Sequence, residues 1–173
     1  MKENTKLPLI AVLALPILLI ISTEVADMSF NFMGHPIYLI NFIFPLTFLT
    51  SILISKKAES RIAMNLVILS LVLQCFVFVL KWSLIGTINY ALMEVTFFGF
   101  FMSQLFVLLG YEVLKEIKKA NKFGYILFIL LIATLIEIMF YFLILTKTTP
   151  IALVITIVIK IVYDLIMAKV IEK

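Results

Sequence analysis

Three ionisable side chains stand where an apolar chain carries them at greatest cost. Glu137 interrupts the apolar run 123–145, and Lys160 and Asp164 interrupt the run 149–169. A charge near the centre of a membrane-crossing helix costs about 2.5 kcal/mol or more on insertion scales, so such groups are kept for pairing, ligand contact or ion movement. Glu137 and Lys160 fall about half-way along runs that a short loop makes antiparallel neighbours, so a Glu137–Lys160 pair is geometrically available. Asp164 lies one helical turn beyond Lys160 on the same face, with Tyr163 beside it. Thr134, Glu137 and Tyr141 share a face of the preceding run.

Other polar groups follow the same logic. Glu94 begins the fourth apolar run, and Phe98 and Phe101 follow on its face at helical spacing. Glu24 and Asp27 close the first run. Asn41, Gln74 and Gln104 place neutral amides in the second, third and fourth. Facing inward, these groups would converge in one half of a bundle, ringed by aromatic side chains. Carboxylates, amides and aromatic faces together suit a flat, polar, hydrogen-bonding small molecule. Each group also has a plainer reading. The Glu137–Lys160 pair can fix helix register, Glu24 and Asp27 can be interfacial caps, the amides can join helices, and most of the sixteen phenylalanines pack or face lipid.

The elements that must position these residues are membrane helices. Apolar residues make up 64% of the 173-residue chain, and mean hydropathy is +1.23. A soluble domain of this size could not cover that much hydrocarbon, so the bilayer is the expected solvent and a lipid bilayer the expected partner. A span needs about 20 mostly apolar residues. Six stretches qualify: 7–26, 37–55, 62–84, 89–112, 123–145 and 149–169. The breaks carry turn residues and charges: Asn31, Gly34 and Pro36; Lys56, Lys57, Glu59 and Arg61; Lys81, Gly86 and Asn89; Lys115 to Lys122; and Thr146, Lys147 and Pro150. The predicted fold class is therefore all-α, a single six-helix transmembrane bundle over residues 1–173. Pro16 and Pro45 lie inside their helices, where each removes a backbone donor.

Lysine and arginine placement orients the bundle. Eleven lie in the N-terminus, second loop, fourth loop and C-terminus; Lys81 and Lys147 alone lie on the other side. The positive-inside rule then puts both termini in the cytoplasm, N-in and C-in at the inner membrane. An even helix count requires both ends on one side, and the two arguments agree.

The remaining classes are expected absences. The net charge of +4 is spread over short loops, the membrane pattern rather than a nucleic-acid surface. The single His35, beside Pro36, has no cysteine partner nearby, so neither metal nor cofactor is expected. The single Cys75 reads as small apolar filler. Residues 1–22 look like a signal peptide but lack a clear cleavage site, and read as an uncleaved first helix. With no Ser/His/Asp set, no histidine cluster and no glycine-rich phosphate loop, an enzyme is not expected.

The order of features resembles the queuosine precursor transporter family, also called the vitamin uptake transporter (VUT) family. The resemblance rests on Phe44-Pro45-Leu46-Thr47-Phe48-Leu49 before a short basic loop, and then on the segment from Ala58 to Asn65. It continues with Ser103-Gln104, Ile132-Ala133-Thr134-Leu135-Ile136-Glu137 and Lys160-Ile161-Val162-Tyr163. It runs from about Ser22 to Asp164. The chain departs from the pattern at several places. Thr134 stands where the family has Gln, and Glu137 where it has Asp. Ile52, Lys56, Ala58 and Glu59 occupy the usual acidic and Tyr-Gly positions after the second helix, and Val107 or a neighbour replaces an acid after Gln104. The resemblance implies a divergent member that takes up 7-deazaguanine precursors of queuosine, a small-molecule substrate. Only the Phe-Pro-Leu-Thr run, Gln104, Glu137, Lys160 and Tyr163 carry over from the family; joined to the polar and aromatic residues read above, the expected substrate-binding set is Asn41, Glu94, Phe98, Phe101, Gln104, Thr134, Glu137, Lys160 and Tyr163. Glu137 or Glu94 would take the base edge, Gln104 and Asn41 the remaining polar atoms, and Lys160 would hold Glu137 ionised.

Two alternatives stay open. One is a substrate-binding subunit of an energy-coupling-factor vitamin transporter, coupled with an ATPase module. Only Ala11 and Ala14 hint at the small-residue docking face it would need. The other is a non-transporting membrane scaffold of the MreD type, in which the Glu137–Lys160 pair is structural. A homo-oligomer fits either, and the energy source, proton or sodium gradient included, is left open.

Overall fold

The computed structural model describes residues 9–26, 28–86, 90–116, 122–144 and 149–172, and the side chains of 9–11, 91, 92, 95, 116 and 141–144 are not among them. Asp27, Asn89, Thr146 and Lys147, with Lys2, Lys6, Lys118, Lys119 and Lys173 from the orientation count and the side chain of Tyr141, lie outside the described set.

The chain runs as α1 (Leu9–Glu24), β1 (Ser29–Phe32), β2 (His35–Tyr38), α2 (Ile40–Lys57), α3 (Ser60–Ile85), α4 (Tyr90–Glu94), a π-helical segment (Val95–Gly99), α5 (Phe100–Glu116), α6 (Lys122–Ile144) and α7 (Pro150–Glu172). Five of these helical stretches are long and apolar enough to cross a membrane, and α1 contributes a shorter apolar helix. The bundle is predominantly helical, consistent with the expected all-α membrane protein.

Local chemistry sets the helix ends. Gly86 adopts φ 75° after α3, and its N–H reaches the Trp82 carbonyl at 2.9 Å. This is the left-handed cap that favours glycine. Between α2 and α3 the backbone turns extended at Ala58 and Glu59. Thr149 caps α7, accepting from the Ala152 N–H at 3.2 Å. Pro150 follows at the first helical position, where its missing N–H costs nothing.

Two features differ from the sequence expectation. Residues read as a loop before the second span form an antiparallel hairpin, pairing Ser29 with Tyr38 and Phe32 with His35. Its turn residues, Met33 (φ 52°) and Gly34 (φ 82°), are both left-handed, the requirement of a tight two-residue hairpin. Pro36 and Gly34 together read as breakers, which hid a strand pair only four residues long on each side. The fourth span, read as one regular helix, contains the π segment Val95–Gly99. A wider turn shifts the faces of everything on either side of it.

Helix α2 is the centre of the bundle, packed against α1, α3, α5 and α7, and the α5–α6 and α6–α7 contacts complete the far side. Its polar Asn41, Thr47, Ser51 and Ser55 are buried with Phe44 and Phe48. Large apolar side chains instead point outward on the peripheral helices, with Phe76 60% and Leu135 59% exposed. Polar groups inside and hydrocarbon outside is the arrangement a bilayer imposes. Cys75, read as filler, lies on the exposed face of α3.

Candidate functional site

The charged centre is built by α6 and α7. Three- and four-residue spacing puts Thr134 with Glu137 on one face of α6, and Thr156, Lys160 and Asp164 along one face of α7. The helices pack directly, and the Lys160 ammonium donates to Glu137 Oε1. Nothing here meets solvent: Glu137 is 4% exposed, Lys160 1%, Asp164 0% and Thr134 3%.

What this centre leaves unmatched matters more than the ion pair. Glu137 Oε2 and both Asp164 oxygens are buried without a hydrogen bond in the described structure. The Thr134 hydroxyl lies beside Asp164 but outside hydrogen-bonding geometry. One ammonium thus faces two carboxylates, with three acceptor oxygens open. Buried acceptors are ordinarily matched, and each exception calls for an explanation.

Helix α2 supplies the aromatic wall. The Phe44 ring centroid lies 5.9 Å from Lys160 Nζ, the outer range of a cation–π contact. Phe44 meets Phe48 and Phe100 edge-on at 5.7 and 5.8 Å. One turn from Phe100, Gln104 Nε2 donates to Thr47 Oγ1 at 2.8 Å. Thr47 spends its own proton on the Phe44 carbonyl at 2.6 Å, so it accepts from the amide. That fixes the amide's orientation and leaves Gln104 Oε1 buried and unmatched. Nearer the hairpin, Asn41 Nδ2 reaches Thr156 Oγ1 at 3.3 Å, tying α2 to α7 one turn from Lys160.

The structure brings together Thr134, Glu137 and Lys160, with Asn41 attached through Thr156 and Gln104 across the Phe44–Phe100 contact. Tyr163 is half-buried and packs edge-on against Phe42, centroids 6.0 Å apart. Phe101 is half-buried against the core. Glu94 is exposed and Phe98 is 60% exposed, so neither joins the centre. The correction has a local cause: Glu94 and Phe98 do share a face, but that face turns outward, away from buried Gln104, which lies at same-face spacing from Phe100 and Phe101. Gln74 is fully buried in α3 with both amide atoms unmatched.

Sequence reasoning left Asp164, Thr47 and Thr156 out of the site. The i, i+4 run Thr156–Lys160–Asp164 was a readable signal; Thr47 looked like an ordinary helix hydroxyl. The expected aromatic ring is also displaced. A cavity of about 460 Å³ is lined by Phe30, Phe32, Phe42 and aliphatic residues of α7, and none of the carboxylates or amides reaches it.

The chain matches no protein-family model, no curated protein and no solved structure.

Proposed function

We propose that this chain is a membrane transporter that crosses the bilayer six times, with both termini on the cytoplasmic side. It binds a small, flat, hydrogen-bond-donating solute between α6 and α7. The observation that carries this reading is the set of three open carboxylate oxygens, Glu137 Oε2 and Asp164 Oδ1 and Oδ2, buried beside a fixed ammonium. A purely structural ion pair needs no second carboxylate. A solute with adjacent N–H donors gives those oxygens partners, and a carboxylate receives two parallel N–H bonds well. The face of Phe44 offers a surface for a planar ring, and Gln104 Oε1 a further acceptor.

Within that class, a 7-deazaguanine precursor of queuosine is the substrate implied by the resemblance of Phe44–Leu49, Gln104, Thr134–Glu137 and Lys160–Tyr163. Its guanine-like edge presents adjacent N–H donors of the kind these oxygens lack. The test is uptake of labelled precursor, or queuosine appearing in tRNA, in a queuosine-deficient host that expresses the chain. We expect accumulation that Asp164→Asn and Glu137→Gln each abolish while the protein remains in the membrane. No uptake by well-expressed protein would sink the substrate assignment.

A further inference from the structure

A second site lies at the opposite end of the bundle from the hairpin. Lys56 is the penultimate residue of α2, Lys115 of α5; Lys122 opens α6 and Glu172 closes α7. These four helix ends meet around a cavity of about 400 Å³. The rim carries Lys56, Lys115, Lys122 and Glu172, while buried Tyr111, Leu114 and Ile126 form an apolar floor.

The rim is partly pre-organised. Lys56 Nζ donates to the Ile171 carbonyl at 3.1 Å, at the end of α7. Lys115 Nζ donates to the Ser55 carbonyl and to Glu112 Oε1, both at 2.9 Å, and stands 5.3 Å from the Tyr111 ring centroid. Glu112 also accepts from Ser60. An ammonium has three donors, so anchoring Lys56 leaves donors to spare. Lys122 is exposed. Three cations face Glu172 on the rim, with Glu112 engaged by Lys115, and positive charge remains in excess.

We propose that this cavity binds a phosphate group, and that the phosphate belongs to the headgroup of an anionic glycerophospholipid. Depth favours a lipid over a soluble phosphate. The rim coincides with the points where the apolar spans Ile40–Lys57, Thr96–Lys115 and Pro150–Glu172 end and Lys122–Phe140 begins. That is the headgroup level of one leaflet, whichever way the chain is inserted. Below it, the apolar floor suits the glycerol and first methylenes, which a bare phosphate would leave wet. Basic pockets between helix ends bind lipid phosphates in this way.

Titrating the full chain in neutral detergent with phosphatidylglycerol and with phosphatidylcholine, with bound lipid counted by native mass spectrometry, tests the assignment. We expect one tightly held phosphatidylglycerol and no comparable phosphatidylcholine. Each surface lysine is worth roughly fivefold, so Lys115→Gln with Lys122→Gln weakens phosphatidylglycerol binding about 30-fold. The single Lys122→Gln, at an exposed position, weakens it about fivefold. Lys81→Gln, in another part of the bundle, leaves it unchanged. Equal binding of the two lipids, or full retention by the double variant with an unchanged melting temperature, overturns the site. Displacement of the lipid by millimolar inorganic phosphate overturns the lipid assignment in favour of a soluble phosphate ligand.

Discussion

Among the described residues, two lysine–glutamate pairs join helices, and they differ in almost everything but composition. Lys81 and Glu24 bridge α3 and α1 at 2.6 Å with side chains 42% and 40% exposed. Lys160 and Glu137 bridge α7 and α6 with side chains 1% and 5% exposed. The first pair forms where water solvates both partners, so it costs little to make and contributes little. The second is removed from water entirely, and desolvation on that scale often exceeds the attraction gained. Stability alone would be served as well by two apolar residues. The buried pair also stands beside Asp164, whose oxygens have no partner. The contrast teaches that the exposed pair needs no explanation beyond its position, whereas the buried centre has acceptors that the proposed solute would match.

The sharpest way to break this contrast is to remove one buried partner. Lys160→Met leaves Glu137 unpaired among apolar groups, and we expect a loss of about 3–5 kcal/mol, read as a large fall in melting temperature and in folded yield. Glu137→Leu combined with Lys160→Met should recover most of that stability, since a hydrophobic replacement of a buried pair is often neutral or better. Uptake must stay lost in the double variant. A folded double variant that still transports would assign the pair to structure and remove it from the proposed solute site.

The next effect concerns the packing that holds Glu137 in place. A Cβ on Gly110 of α5 would fall 2.9, 3.1 and 3.2 Å from three side-chain carbons of Ile129 on α6. Ile129 is β-branched and buried, so it has little room to turn away. Gly110→Ala should therefore cost about 1–3 kcal/mol by overpacking. Ile129→Val in the same chain should return part of it. The measurement is thermal unfolding of the three proteins in one detergent, and equal melting temperatures would show that α6 is not held this closely.

Asp164→Asn separates stability from function. The amide keeps the shape and removes a carboxylate whose oxygens accept no hydrogen bond in the described structure. We expect a stability change within about 1 kcal/mol, the range of substitutions that open no cavity and strand no new charge. Transport should be abolished while the fold persists. A fall in stability as large as that of Lys160→Met would instead mark Asp164 as a structural member of the ion-pair network.

The helices were legible because a bilayer-length apolar run tolerates few alternatives, and Glu137 and Lys160 stood out because charge is scarce within such runs. Their adjacency followed from one short connection. Asp164 was visible on the same face, but its importance lies in missing partners, which only packing reveals. Glu94 and Phe98 were misplaced because spacing puts them on one face but does not say which face turns inward. The hairpin was hidden for a different reason: Met33 at φ 52° is a residue type that rarely adopts that conformation, so the Met-Gly turn lacks the usual Asn-Gly signature. The Gln104 orientation depended on Thr47 spending its proton on a carbonyl, a choice set by local geometry rather than by spacing.

The smallest expected effect tests the exposed half of the contrast. Lys81→Gln removes the partner of Glu24 and should cost no more than about 0.5 kcal/mol, because both groups remain solvated once separated. That small difference should also depend on salt. Surface charges are screened over about 10 Å at 0.1 M and about 3 Å at 1 M, so wild type and Lys81→Gln should converge in melting temperature as ionic strength rises. The gap between wild type and Lys160→Met should not close over the same range, since ions do not enter a centre that is 5% exposed or less. A salt-insensitive loss at Lys81 would mean that the α1–α3 pair is also dry, held in place by apolar surroundings that its exposure does not reveal. The distinction between the two pairs would then rest on Asp164 alone.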